Sequence, residues 1–113
     1  MTDYIKIEKA DGIWVVRAAG AVIGETKNAL ILTEGDRPPV TYFPRADIAM
    51  AFADASDTTT QCPFKGTASY YSIIAKSGPL TDAAWSYEAP IDDVAPIKGY
   101  LAFSHEKIAV EQL

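Results

Sequence analysis

Along most of the chain, apolar and polar positions alternate with a period of two in short runs, the signature of half-buried β-strands. Residues 4–8 alternate, Asp11-Gly12 is a tight-turn dipeptide, and 13–17 are rich in β-branched and aromatic side chains, which together predict an opening hairpin. Strands are predicted at 21–25 and 30–34. They are followed by Gly35-Asp36-Arg37-Pro38-Pro39, where two prolines forbid ladder pairing and favour a surface loop. The pattern resumes as a strand at 40–43. Pro44-Arg45-Ala46-Asp47 predicts one helical turn, with proline at the first position, where its missing N–H is not needed. Residues 50–52 are expected to return to the sheet, and 54–61 to form a polar, threonine-rich connection. Residues 67–74 read as a strong strand, Ser77-Gly78-Pro79 as a turn, and 83–87 as another strand. The best helix candidate is 92–98, with Asp92 and Asp93 in its first turn, Lys98 in its last and Gly99 placed as the cap. A closing hairpin is expected from 100–103 and 107–110 across Ser104-His105-Glu106. The pattern therefore predicts a mainly β domain, a small antiparallel sheet curled into a barrel or two packed sheets, with one short helix near the C-terminus.

Composition narrows this picture. A chain of 113 residues with 49% hydrophobic and 22% charged content suits one globular domain with a single core, and no repeat or linker divides it. No apolar run approaches the roughly 20 residues of a membrane span, and the charged segment 1–10 is unlike a signal peptide, so a cytoplasmic location is expected. The net charge of −5 and the lack of a Lys/Arg cluster argue against nucleic acid and anionic membranes as partners. Cys62 is the only cysteine and His105 the only histidine, which leaves no internal disulfide and no thiolate zinc cage. No metal and no cofactor is implied.

The middle of the chain carries a family resemblance. The strings Tyr42-Phe43-Pro44-Arg45-Ala46-Asp47-Ile48, Thr60-Gln61-Cys62-Pro63-Phe64-Lys65-Gly66-Thr67-Ala68-Ser69-Tyr70 and Ala84-Trp85-Ser86-Tyr87, with Pro90, resemble the domain of unknown function 427 family. Leu32-Thr33-Glu34 and Ile97-Lys98-Gly99-Tyr100-Leu101-Ala102-Phe103 extend the likeness to about residues 13–110. The resemblance implies a compact, mainly β domain similar to the β-tent group, and no established activity. The family's nucleotidyltransferase-like label would require a Gly-Ser turn and paired strand carboxylates holding Mg²⁺ against a triphosphate. Asp54 and Asp57 are expected in a polar loop and Asp92-Asp93 at a helix start, so that label is discounted.

Candidate chemistry concentrates in the same strings, and each residue has a structural reading beside the functional one. Cys62 could be a nucleophile, but at an ordinary thiol pKa only about 3% is thiolate at pH 7. It would need activation by Lys65; otherwise it is a small packing residue in a turn shaped by Pro63 and Gly66. Lys65 could hook an anion or sit on the surface, and Glu34 could act as a general base, pair with Lys65, or be solvated. Trp85 and Tyr87 share a strand face by the period-two rule. With Tyr42, Tyr70 and Tyr71 they could line a cage for a flat or cationic ligand, or simply pack a core. His105 reads as a surface residue.

Three functions from different classes fit these residues. The preferred one is a small-molecule-binding domain with a pocket floored by Trp85 and Tyr87, joined by Tyr42 and Tyr70, and rimmed by Cys62, Lys65 and Glu34. The second is an enzyme with Cys62, Lys65 and Glu34 as catalytic residues. The third is a protein-interaction module offering a sheet edge or aromatic patch. The oligomeric state is left open.

Overall fold

The structure, a computed structural model, describes residues 4–113. Among the described residues, ten strands form three antiparallel sheets, none of them closed into a barrel. In the first, β4 (Leu30–Glu34) lies between β1 (Ile5–Lys9) and β5 (Val40–Tyr42). In the second, β2 (Trp14–Ala18) lies between β10 (Ile108–Gln112) and β3 (Ala21–Thr26). The third runs in order through β6 (Ala53–Cys62), β7 (Gly66–Ala75), β8 (Gly78–Ser86) and β9 (Ala102–Phe103). Paired backbone bonds between Phe43 and Leu101, both 2.8 Å, stitch the end of β5 to the start of β9.

The third sheet is covered on both faces along the second half of β8, residues 83–86, because two separate cores press on it. Ala84 pairs with Phe103 and Trp85 with Ala102, so neighbouring residues of β8 and β9 point to opposite sides. On one side Ala84 and Phe103 join Val16, Ala18 and Ile23 of the second sheet, with Phe43, Ile73 and Leu80. On the other, Trp85 and Ala102 join Leu32 and Tyr42 of the first sheet, with Val94 and Ile97. The chain turns between cores within single dipeptides: Tyr42 belongs to one and Phe43 to the other, each at most 1% exposed. Alanine at 83 and 84, both 0% exposed, fits a strand with no room on either side.

Both expected terminal hairpins are replaced by longer-range pairings. β1 pairs with β4 (Ile7 opposite Leu32), and β2 pairs with β3 and β10. The segment after Asp11 crosses from one sheet to the other, with the Trp14 and Gln112 side chains donating to the Asp11 carbonyl. Burial explains the choice. Consecutive Val15 and Val16 are both buried, which a two-stranded hairpin cannot provide, whereas Ile5 and Ile7 need only one covered face. The tight hairpin turn falls instead at Ala19-Gly20, where φ is +49° and +88° and Ala18 pairs with Ala21. At the other end, β9 pairs with β8 and β10 with β2, so 100–103 and 107–110 belong to different sheets.

Three further expectations are corrected. Residues Met50–Phe52 form a 3-10 turn, closed by Phe52 N–H donating to Ala49 O, and the sheet resumes at Ala53. The threonine-rich stretch read as a connection is β6, and Asp54 and Asp57 therefore lie on a strand. As the outer strand of its sheet β6 has little covering it, so its sequence shows no alternation; a break in register between Ala55 and Thr59 bends it. The helix expected at 92–98 is a pair of merged 3-10 turns, Asp92–Ile97, with Val94 out of helical geometry. Pro96 has no N–H for an α-helical bond, and the Gly99 N–H, at φ +75°, donates to Tyr87 O rather than capping a helix. The expected strand at 83–87 is the second half of β8, interrupted at Asp82, whose φ is +52°. The turn at Pro44 is found as expected, over Arg45–Asp47. Among the described residues, no helix is long and apolar enough to cross a membrane.

Because Phe43 is fully buried where the sheets join, Phe43→Ala is expected to cost about 3–5 kcal/mol, read as a fall in the midpoint of urea unfolding at unchanged slope.

Candidate functional site

The hairpin between β6 and β7 is built by its sequence. The Lys65 N–H donates to Cys62 O at 3.1 Å, which places Pro63 at the turn position whose φ proline presets. Gly66 follows at φ +114°, a value strained for any residue with a Cβ, and the turn lies against the 89–91 segment through Ile91 N–H donating to Lys65 O. This anchoring directs the Lys65 side chain inward. Its ammonium forms an ion pair with Glu34 Oε1, and the two residues are 8% and 6% exposed.

Glu34 arrives from the opposite wall by strand periodicity. Leu30, Leu32 and Glu34 share one face of β4, and their register places Tyr42 opposite Leu30 and Val40 opposite Leu32. On β7 and β8, Tyr70 faces Trp85 directly, with ring centroids 6.3 Å apart. Tyr87 follows two residues after Trp85 and packs in the same core. The Trp85 indole N–H donates to the Tyr42 hydroxyl at 3.3 Å, joining the two walls.

Between these walls lies an open cleft of about 650 Å³. Glu34, Tyr42, Lys65, Tyr70, Trp85 and Tyr87 all line it. The sequence-derived candidates are thus gathered in one place, with one qualification. Cys62 sits beside Lys65 at the base of the turn and is partly exposed, but it is not part of the cleft lining. Tyr71 faces away, into a different cluster.

Electrostatics in the site follow from burial. Desolvation alone would lower the Lys65 pKa. The hydrogen bond to Glu34 and the neighbouring Cys62 outweigh it and raise the value, so Lys65 stays an ammonium. Tyr42 is pushed up to about 12, chiefly by burial, with the Trp85 hydrogen bond acting in the opposite direction. Tyr87 is also pushed up to about 12, by burial first and then by the nearby Cys62, Tyr70 and Glu34. Both phenols therefore remain proton donors at neutral pH.

Several contributors were not read from the sequence. Trp14, Arg37, Pro38 and Pro39 line the cleft, the last three from the loop after β4. Behind the sheet, Arg45 donates to Glu88 Oε2 (2.5 Å), Tyr71 OH (3.2 Å), Ser86 Oγ (3.3 Å) and Gly99 O (3.2 Å). The alternation that puts Trp85 and Tyr87 in the cleft puts Ser86 on the other side, where a fully buried hydroxyl needs a partner. That alternation was the available signal for the Arg45 cluster. His105 accepts a bond from Lys107 N–H through Nδ1 within its own loop.

A three-sheet β domain with a paired lysine and glutamate buried beneath aromatic side chains is the class that fold and site define. The chain belongs to the family described as Domain of unknown function (DUF427), whose model matches residues 6–112. A search of the curated proteins gave no match.

Removing one partner of the buried pair strands the other's charge, so Lys65→Met alone is expected to cost about 3–5 kcal/mol in urea unfolding, while Glu34→Leu/Lys65→Met recovers most of it. The folded state holds the protons of Lys65, Tyr42 and Tyr87 to higher pH than the unfolded chain does. Their contribution is therefore complete below about pH 10 and is lost as pH rises toward 12. Denaturant titrations from pH 8 to 12 should show this decline, and Tyr87→Phe should make it shallower.

Proposed function

We propose that this domain binds a small molecule in the cleft above the Glu34–Lys65 pair, with the aromatic rings as its walls. The observation that carries the reading is the pair itself. A buried ion pair contributes little net stability compared with apolar residues of the same volume, so its placement beneath a cleft is better explained by what it offers a ligand. Lys65 supplies N–H donors and Glu34 an acceptor at the same spot, and the protonated Tyr42 and Tyr87 hydroxyls add donors around them. Trp85 and Tyr70, with ring centroids 6.3 Å apart and planes inclined at 40°, provide aromatic faces against which a flat molecule can pack.

The enzyme reading, with Cys62 as nucleophile, has one observation in its favour, the closeness of Lys65 to the thiol. It is the weaker reading because Cys62 lies outside the cleft lining, where a bound molecule would not meet it. In the binding reading Cys62 contributes to the turn that aims Lys65.

A thermal-shift screen against a metabolite library tests the proposal. A ligand at one hundred times its Kd should add about 2.7 kcal/mol of stability. Stabilisation is expected in the natural sequence and in Cys62→Ser, and is expected to be lost in the folded double variant Glu34→Leu/Lys65→Met. A library with no stabilising compound overturns the reading, and loss of the effect in Cys62→Ser transfers it to thiol chemistry.

A further inference from the structure

Resting on the binding reading, we infer that the cleft selects a flat organic anion, whose charge is met by Arg37 at the mouth while its ring lies against Trp85 and Tyr70.

The charge of the lining carries the inference. Three charged residues line the cleft, Glu34, Arg37 and Lys65. Lys65 and Glu34 neutralise each other, which leaves Arg37 as the remaining charged residue of the lining. Arg37 forms no ion pair with any described residue, and the adjacent Asp36 does not line the cleft. The whole chain carries a net charge of −5, so a cleft with a surplus positive charge runs against the molecule's overall field. A guanidinium presents several N–H donors in a planar fork, which suits carboxylate and phosphate groups.

Two features place that charge. The Arg37 backbone N–H donates to Glu34 O at 3.0 Å, folding the loop back over the end of β4, and Pro38 and Pro39 restrict the chain immediately after it. Arg37 is thus held on a short, stiffened loop that begins at Glu34, the acidic member of the ion pair. Deeper in the cleft, the Tyr87 side chain is 95% buried and lines the space. Its hydroxyl makes no hydrogen bond to another described residue, although burial keeps it protonated. The hydroxyl is not sealed from solvent, so it is available to donate to an oxygen-rich anion in the cleft. The apolar and aromatic walls exclude a small inorganic ion as the best fit, since its hydration would be lost against ring surface without compensation.

Isothermal titration calorimetry with three ring-matched probes tests the charge separately from the ring site: 1-naphthoate, 1-naphthyl phosphate and the neutral 1-naphthamide. At low salt at least one anion is expected to bind about tenfold more tightly than the amide, and the tighter of the two identifies carboxylate or phosphate as the preferred head group. In Arg37→Gln, an exposed loop substitution with little structural consequence, the preference should vanish while amide binding stays the same. The indole N–H resonances of Trp14 and Trp85, the only two tryptophans, should shift on binding because both line the cleft. Equal affinity for all three probes, or a preference that survives in Arg37→Gln, overturns the anion assignment and leaves the binding reading standing. No binding by any probe, with unmoved indole signals, overturns both.

Discussion

The second half of β8, covered on both faces, governs this fold. Residues 83–86 are pressed between two cores, and the pairings of β1, β2, β9 and β10 supply the cover on both sides. Local hairpins at the two ends of the chain would have left Val15, Val16 and the 101–103 segment half exposed. Sending β1 and β2 to different sheets, and β9 and β10 likewise, covers them all. The entropic cost of closing those longer loops grows only slowly with length, whereas each large apolar side chain buried returns about 1.5–3 kcal/mol.

The same strand gives the site its two-sided support. Trp85 and Tyr87 face the cleft, and Ser86 between them is gripped from behind by Arg45, which also reaches Tyr71, Glu88 and the Gly99 carbonyl. Arg45 is thus a strut: it joins the turn after β5 to the strands that carry the aromatic wall. The cleft side holds the Trp85 to Tyr42 bond and the Lys65 to Glu34 pair, so side-chain contacts cross between the first and third sheets at two heights. The residues that form the site's surface are therefore fixed by polar contacts on both sides of one sheet.

Strand character and most strand positions were legible in the sequence, because alternation and turn residues are local signals. The shared face of Trp85 and Tyr87, and the meeting of Glu34 with Lys65, were also within reach of periodicity and motif. Pairing partners were not, since an Asp-Gly turn after residue 10 says only that the chain bends, and the burial of Val15 with Val16 decides where it goes. β6 was missed because a strand exposed on both faces need not alternate. The contribution of Arg37 was invisible for a different reason. A charged residue in a proline loop reads as solvent-facing, and only the fold shows that the loop overhangs an aromatic cleft.

The long outer strand of the third sheet has a consequence for how the molecule behaves in company. A ten-residue edge strand leaves its outward-facing N–H and C=O groups unpaired, which would ordinarily recruit a neighbouring chain and seed fibrous assembly. Here that margin carries Asp54 and Asp57, a run of three threonines and a break in register between Ala55 and Thr59, all of which make it a poor template. The features that hid this strand from sequence reading are thus the ones that discourage a neighbouring chain from pairing with it.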